Sequence, residues 1–121
     1  MSYDPNNVFA KILRGEFPCR AVYEDDFALA FHDIQPQAPV HVLVIPKAPY
    51  VSFVDFSRDA PAELVVGYIR AVGHVAGLLG LPDDGFRLIA NIGLNGGQEV
   101  PHLHVHLCGG RSLGRMIARD A

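Results

Sequence analysis

Three of the six histidines stand at alternate positions of one short segment, Pro101-His102-Leu103-His104-Val105-His106-Leu107-Cys108. Imidazole is neutral near pH 7, and it can act as a nucleophile or exchange a proton. The interleaved aliphatic residues predict a β-strand with one face in a core, so the three imidazoles should share the other face. The spacing therefore predicts a reaction centre.

A glycine-rich segment, Gly96-Gly97-Gln98-Glu99-Val100, precedes these histidines and follows Asn91. Glycines let backbone N–H groups approach an anion closely, so a phosphate held there would lie over the histidine face. A histidine that attacks phosphorus forms a covalent intermediate, which water then hydrolyses. His41 lies in an apolar strand and is expected to reach the same face. This chemistry requires neither a metal nor a cofactor, and we predict none.

The length of 121 residues and the 50% hydrophobic content predict a single domain, residues 1–121, with one sizeable core. A net charge of −3 gives no basic field that would recruit nucleic acid or an anionic membrane. No apolar stretch is long enough to span a bilayer, and no secretion signal is recognisable. Cys19 and Cys108 match no disulfide framework, which favours reduced thiols in a cytoplasmic protein.

The elements expected to position these residues alternate between strand and helix patterns. Asn6 or Asn7 can cap a short helix over residues 8–14, with Gly15 at its left-handed end. The turn at Asp25-Asp26 predicts a hairpin. Strands are predicted at residues 21–24, 27–32, 40–45 and 86–92 and at the histidine segment, a long helix at 61–79, and loops at 35–39 and 93–98.

These elements predict an α+β fold, with an antiparallel sheet of about five strands, one long helix and a short N-terminal helix. On the second strand, Phe27, Leu29 and Phe31 should share one face, and Ala28, Ala30 and His32 the other. Gly67, Gly73 and Gly77 each weaken the long helix by roughly 1 kcal/mol relative to alanine. We expect close packing on the sheet to compensate.

The sequence resembles the histidine triad (HIT) family, whose hallmark is His-φ-His-φ-His-φ-φ with φ apolar. Residues 102–108 match that hallmark, and Gly109-Gly110-Arg111 follows. Residues 9–18, 30–34 and 37–47 add supporting segments in the family's order. The resemblance covers nearly the whole chain and is strongest to the branch of purine nucleoside phosphoramidases.

This resemblance implies a HIT-like fold that dimerises into a continuous sheet across two protomers. It implies a nucleotide-binding hydrolase that cleaves the P–N bond of adenosine (purine nucleoside) 5′-phosphoramidates or aminoacyl-adenylates and releases AMP. By similarity, His104 is the nucleophile that becomes nucleotidylated. His102 and His106 would orient it and contact the α-phosphate, and His41 is the fourth histidine of the motif set. We expect activity to fall below about pH 6 as histidines protonate.

The resemblance also implies a nucleotide-binding pocket. Asp33 would hold the ribose hydroxyls, although it is also suited to cap the loop before Pro36. The purine would be lined by Phe9, Ile12, Phe31, His32, Ile34 and Leu43, and the phosphate would be bordered by Asn91, Gly97, Gln98 and Val100. Glu99 stands where well-known animal members have a small hydroxyl residue that helps the leaving group, which predicts a preference for cationic amines. Pro101 and the tail at residues 111–121 also depart from those members.

Three alternatives remain at this stage. The first is a dinucleoside polyphosphate hydrolase, although Gly109-Gly110-Arg111 favours the phosphoramidase branch. The second is a dimeric module for nucleotide sensing or protein interaction with vestigial catalysis. The third is a zinc site, because imidazoles two residues apart chelate well. Cys108 would add a ligand, although we expect the strand to place it on the face opposite His102, His104 and His106. Relatives with zinc carry an N-terminal CxxC, where this chain has Asn7-Val8-Phe9-Ala10, so we predict no metal site.

Overall fold

One antiparallel sheet of five strands, in the order β1-β2-β3-β5-β4, forms the centre of the molecule. The computed structural model describes residues 2–119. Met1, Asp120 and Ala121, which belong to the predicted domain of residues 1–121, lie outside the described residues. The elements are α1 (Val8–Leu13), β1 (Ala21–Glu24), β2 (Ala28–His32), β3 (Val40–Pro46), α2 (Phe53–Asp59), α3 (Ala62–Leu78), β4 (Arg87–Ile89), α4 (Gly93–Gly96) and β5 (Val105–Gly109). The predicted α+β class is confirmed.

One face of the sheet, which we call the helix face, packs against α3. Ala28 and Ala30 are completely buried there, and their small side chains let α3 lie close to β2. Tyr68 of α3 is also fully buried, and its hydroxyl donates to the Val44 carbonyl over 2.8 Å. The sheet contributes Ala28, Ala30, Val42, Val44, Val105 and Leu107 to this core, and Leu103 joins it from the segment before β5.

The opposite face, which we call the histidine face, has a smaller apolar cluster under α1. That cluster consists of Phe9, Leu29, Phe31, Leu43 and Ile45. Residues opposite each other in an antiparallel pair share a face, and Leu43 pairs with His106. The triad therefore lies on the α1 side of the sheet, and Leu103, Val105 and Leu107 lie on the α3 side, as the alternation predicts.

Local signals position the first helix and the first hairpin as predicted. The Asn7 side chain accepts the Ala10 N–H and so caps α1. Gly15 follows with φ of +77°, a left-handed conformation that favours glycine. In the hairpin turn, Asp25 Oδ1 accepts the backbone N–H groups of Phe27 and Ala28, at 2.8 and 2.9 Å.

The boundaries of other elements differ from the prediction. α2 was not expected, although Ser52 and Asp55 form a capping box at its start. β4 is shorter than residues 86–92, and α4 occupies part of the predicted loop at 93–98. The long helix runs from Ala62 to Leu78, so it is one residue shorter at each end than the predicted helix at 61–79.

The regular histidine strand begins only at Val105, so the prediction of a strand from His102 was wrong. The reason lies in the backbone hydrogen bonds of the preceding residues. Leu103 N–H donates to the Tyr50 carbonyl over 2.8 Å, and His102 N–H donates to the Val100 carbonyl over 2.9 Å. This segment is therefore bonded to the loop before α2 instead of to β3.

Two packing predictions also fail. Phe27 precedes β2 and packs its ring directly on Gly67 of α3, so it does not share the face of Leu29 and Phe31. Gly67 is thus required for close approach. Gly73 and Gly77 have no neighbour within 4 Å of an added Cβ, so close packing on the sheet does not explain them.

Among residues 2–119, no helix is both long enough and apolar enough to cross a bilayer.

Candidate active site

Four histidines gather on the histidine face, where the pairing of β3 with β5 brings His41 close to the triad. The ring centres of His104 and His106 are 5.0 Å apart, and those of His41 and His106 are 5.2 Å apart. His102 lies at the buried end of this row with no exposed surface. Sequence segments separated by about sixty residues thus form one cluster.

His102 is held at both ring nitrogens. Its Nε2 lies 3.0 Å from the Pro46 carbonyl, so by this partner Nε2 carries the proton and donates it. Its Nδ1 lies 2.6 Å from the Tyr3 hydroxyl and accepts that proton. Burial, with a smaller contribution from neighbouring His104, lowers the pKa of His102 to about 4, although the hydrogen bond to the Pro46 carbonyl opposes the effect. His102 is therefore neutral at physiological pH.

His104 has the tautomer that a nucleophile requires. Its Nδ1 lies 2.7 Å from the His102 carbonyl, which accepts only, so Nδ1 carries the proton and Nε2 carries the lone pair. The Phe9 ring meets it edge-on, with centres 5.0 Å apart. Burial lowers the pKa of His104, although this hydrogen bond and the charges of Asp33 and Glu99 oppose the effect. A neutral imidazole with a free Nε2 can attack an electrophilic phosphorus.

His41 and His106 form a chain of hydrogen bonds with one consistent direction. The Gln37 backbone N–H donates to His41 Nδ1 over 3.0 Å, so His41 carries its proton on Nε2. That nitrogen lies 2.9 Å from His106 Nδ1, which must accept. The proton of neutral His106 is therefore on Nε2. Burial, together with His104 and His41, lowers the pKa of His106 to about 4, so it remains a neutral N–H donor.

Asp33 lies at the end of β2 and serves the local structure as well as facing the cluster. Its Oδ1 accepts the Gln35 N–H over 2.8 Å, and its own N–H donates to the His41 carbonyl over 3.0 Å. Its Oδ2 lies 3.4 Å from His41 Nε2. The loop cap that the sequence suggested is thus present, and the second carboxylate oxygen faces His41.

Asp33, His41 and His106 each offer one ligand atom, and these atoms lie within 4.8 Å of one another. The hydrogen bonds make this group a poor metal site. A cation bound at His41 Nε2 would displace the proton that this nitrogen donates to His106. The proton cannot move to His41 Nδ1, because that nitrogen accepts the Gln37 backbone N–H. Cys108 pairs with His41 across the sheet and lies two residues from His106, so it shares the histidine face, and the expectation that it faces away from the triad was wrong. Burial raises the pKa of its thiol, which disfavours the thiolate that binds metals.

The loop at residues 93–98 is held in place by two side chains, Asn91 and Gln98, that were predicted to border the phosphate. Asn91 Nδ2 donates to the Gly96 carbonyl over 2.7 Å. Gln98 accepts the Gly93 N–H through Oε1, and its Nε2 donates to the carbonyls of Val51 and Val100. Gly97 ends α4 with φ of +76°, which keeps the loop tight. Val100 packs on the apolar cluster of the histidine face.

The six residues predicted for the purine do not form one surface. Phe9, Phe31 and Leu43 are buried together, and half-buried Ile12 packs beside them. Ile34 is 94% exposed on the loop after β2. His32 pairs with Val42, which belongs to the helix face, so strand alternation directs the His32 side chain away from the triad. Glu99 is exposed beside the site.

Sequence reasoning missed three partners of the histidines. Tyr3, the Gln37 backbone N–H and the Pro46 carbonyl set the ring tautomers of His102 and His41. Backbone groups leave no signal in residue types. Tyr3 lies 99 positions from His102 and follows no periodic pattern, so only the fold reveals the contact.

Known proteins that are similar to this chain in sequence or in structure include several HIT proteins. The sequence profile of the HIT domain matches residues 14–113. A HIT-like protein from Azospirillum brasilense is 56% identical over 118 residues, covering 98% of this chain and 97% of that protein. A purine nucleoside phosphoramidase from Escherichia coli K12 is 46% identical over 112 residues, covering 92% of each. A solved HIT family hydrolase from Clostridium thermocellum superimposes with a TM-score of 0.83 at 42% identity, covering 93% of this chain and 97% of that one.

Proposed function

This chain belongs to the HIT domain family, and we propose that it is a hydrolase of purine nucleoside 5′-phosphoramidates or aminoacyl-adenylates that uses His104 as its nucleophile. The observation that carries the proposal is the His104 Nδ1–H bond to the His102 carbonyl, which leaves the Nε2 lone pair free. Relatives named as a hydrolase and as a purine nucleoside phosphoramidase, at 42% and 46% identity, support the reaction class.

The proposed reaction has two halves. In the first, His104 Nε2 bonds to the α-phosphorus and the bond to the leaving group breaks. In a phosphoramidate this is the P–N bond, and the departing nitrogen takes up one proton and leaves as an amine. In an aminoacyl-adenylate it is a P–O bond, and the amino acid leaves as a carboxylate. In the second, water attacks the adenylyl-histidine, the P–N bond to His104 breaks, and AMP is released with return of the proton. The net reaction consumes one water and needs no redox partner.

The neighbouring histidines are proposed to support His104 in different ways. His106 Nε2–H would donate to a non-bridging phosphate oxygen, where negative charge grows during attack. His41 would hold His106 in that tautomer, and the 2.9 Å contact between the two rings supports this role. His102 would orient the nucleophile through its main-chain carbonyl. Each donor acts as a neutral group.

The nucleotide is proposed to lie across the mouth of this cluster. Asp33 Oδ2, at the outer end of β2, would accept the ribose hydroxyl protons. The purine would lie against Ile12 and Ile34, with the buried Phe9 ring beneath. A side chain as exposed as Ile34 would lose contact with water when a purine covers it, which favours binding. The phosphate would lie beside the loop that Asn91 and Gln98 brace, near Gly97 and Val100.

Glu99 is proposed to select the leaving group. It is exposed at the site, and its charge is one of the influences that raise the pKa of His104. A carboxylate in this place attracts a cationic amine more than a neutral aryl group. We therefore propose a lysine-like amine as the preferred leaving group.

We also propose that the protein is a homodimer whose sheet continues through β4. The outer edge of β4 pairs with no strand in the described part of the chain. Leu88 is 55% exposed on this strand, and Val66 and Ile69 are about half exposed on α3. A second copy would cover these apolar side chains. Sedimentation analysis tests this: a monomer at micromolar concentration contradicts it, and dissociation by Leu88→Asp supports it.

A cytoplasmic location is proposed from the cysteines. Cys19 is an exposed free thiol and Cys108 is a buried one. Free thiols are typical of reducing compartments. Cell fractionation tests this proposal, and recovery in an oxidising compartment would contradict it.

The decisive experiment is turnover of a fluorogenic adenosine phosphoramidate without added metal. The variants are His104→Ala and, as a matched control, His74→Ala, because His74 is exposed on α3. Activity that survives a chelator, vanishes in His104→Ala and persists in His74→Ala supports the proposal. Mass spectrometry of quenched protein should locate adenylate on His104.

Other results of the same experiment point to the alternatives. AMP binding without turnover favours a sensing module, and faster cleavage of a dinucleoside polyphosphate favours that substrate class. Loss of activity with the chelator would indicate a metal site.

A further inference from the structure

The Tyr3 hydroxyl bonds directly to the first histidine of the triad. Its oxygen lies 2.6 Å from His102 Nδ1, and the two rings meet edge-on with centres 5.6 Å apart. Because His102 Nε2 donates to the Pro46 carbonyl, Nδ1 can only accept, so Tyr3 is the donor. The His102 ring is thus fixed from both sides, and a ring flip would break both bonds.

Tyr3 reaches this position because residues 2–7, which we call the N-terminal arm, are bonded to α1. The Asp4 carbonyl accepts Asn7 Nδ2 over 2.7 Å, and Asp4 Oδ1 accepts the Asn6 N–H over 2.9 Å. Asn7 is buried and also caps α1 through its side-chain oxygen. The arm and α1 therefore hold the triad together, because α1 carries Phe9 against His104 and His102.

We propose that Tyr3 is a positioning residue of this site, whose hydroxyl fixes the ring of His102 and thereby the His102 carbonyl that orients His104. This inference rests on the proposed function of His104. The coupling is short: one residue, His102, receives the Tyr3 bond on its ring and the His104 bond on its carbonyl. Small displacements of a nucleophile reduce its rate strongly, since reaction depends on alignment with the phosphorus.

Removal of the hydroxyl leaves His102 Nδ1 as a buried acceptor without a partner. The Pro46 carbonyl still holds the proton on Nε2, but the ring has lost one of its two anchors and is free to rotate, which loosens His102. The substrate complex itself is unaffected, because the contacts of Tyr3 are to His102 and not to Asp33 or Ile34. The effect should therefore fall on kcat and leave KM unchanged.

The test compares Tyr3→Phe with Tyr23→Phe. Both changes remove one tyrosine hydroxyl, and that of Tyr23 donates to Asp25 over 2.9 Å on β1, away from the triad. For each protein we would measure kcat and KM, the melting temperature, and the ¹⁵N and ¹H signals of the His102 ring, which report its tautomer. In Tyr3→Phe we expect kcat to fall about three- to tenfold, the effect of one hydrogen bond, with KM within about twofold. The ¹⁵N signal of His102 Nδ1 should shift, because that nitrogen loses its hydrogen bond while Nε2 keeps its proton, and Tyr23→Phe should show neither change.

Unchanged His102 signals or an unchanged kcat in Tyr3→Phe would overturn the proposal. An equal loss of kcat in both variants would also overturn it, because that indicates a general effect on the fold. If the parent protein cleaves no phosphoramidate, the proposed function fails separately. The His102 signals, measured with and without AMP, then decide whether Tyr3 holds the His102 ring.

Discussion

The two faces of the sheet are built from alternate residues of the same strands, yet they are held together differently. On β3, Val42 and Val44 pack under α3, while His41 lies on the histidine face with Leu43. The helix face is held by non-directional burial of aliphatic side chains. The histidine face buries polar rings, which is costly unless every ring nitrogen inside has a partner.

The buried ring nitrogens of the histidine face meet this requirement. Among residues 2–119, no buried side-chain nitrogen or oxygen lacks a hydrogen-bond partner. Satisfying the rings also fixes the position of each proton: Tyr3 and Pro46 do so for His102, and Gln37 does so for His41. The comparison shows that one strand can contribute stability on one side and chemistry on the other, because its side chains alternate.

The sharpest test of this difference uses adjacent residues on opposite faces. His104→Ala should lower kcat by about 10⁴-fold or more, because it removes the proposed nucleophile. Its neighbour Val105, almost fully buried on the helix face, is the matched control. Val105→Ala should retain kcat within a few-fold. Steady-state kinetics on folded protein measures both variants. Similar losses of activity would contradict the difference between the histidine face and the helix face.

Leu107→Ala should produce the largest change in stability. Leu107 is completely buried on the helix face, and removing its side chain leaves a cavity, so the free energy of unfolding should fall by about 2–5 kcal/mol. Urea denaturation measures this change. Leu94→Ala is the control, because Leu94 is 96% exposed. Equal stability of the two variants would show that the helix face is not the main core.

The stability of the histidine face should depend on pH. Burial holds the pKa of His102 and His106 at about 4, against about 6.5 for an unfolded chain. Between these values the unfolded chain binds more protons, so the free energy of unfolding should fall as pH drops from about 6.5 to about 4, by a few kcal/mol. Urea titrations at several pH values test this, and equal stability at pH 7 and pH 5 would contradict it.

The same burial changes the expectation for activity. Since burial also lowers the pKa of His104, the acid limb of kcat should lie below the value near pH 6 expected from sequence.

Two glycines of α3 test how closely the helix face is packed. An added Cβ on Gly67 would overlap the Phe27 ring, so Gly67→Ala should lower the free energy of unfolding by about 1–3 kcal/mol. Gly73 has open space, so Gly73→Ala should raise the same quantity by about 0.5–1 kcal/mol through helix propensity. Thermal melting of both variants measures these two changes in stability. Destabilisation of both by the same amount would indicate that contact with Phe27 is not the cause.

The smallest expected effect lies at the rim of the histidine face. Glu99→Ser should lower the preference for a lysine-like amine over a neutral aryl leaving group by about two- to fivefold, because an exposed charge interacts weakly. The ratio of kcat/KM for the two substrates measures this preference. Glu63→Ser is the control, since Glu63 is exposed at the start of α3. Equal ratios for Glu99→Ser and the parent protein would refute the role of Glu99.

Patterns of short range predicted much of this molecule. The alternation at residues 102–107 predicted which side chains share the histidine face, although Cys108 was assigned to the wrong face. Asn7, Gly15 and Asp25 marked their cap and turns correctly. The capping box at Ser52 was present in the sequence and was overlooked. Phe27 was misplaced because the hairpin turn, and not the strand period, sets the direction of its ring.

The sequence by itself determined the five-stranded sheet, the two alternating faces and the triad, because residue type, local spacing and caps act over a few positions. Only the tertiary structure decided the proton positions. Those depend on Tyr3, on the Gln37 amide and on the Pro46 carbonyl, which chain folding brings to His102 and His41. An imidazole has two nitrogens of nearly equal proton affinity, so its tautomer is set by its partners, and those partners exist only in the folded chain.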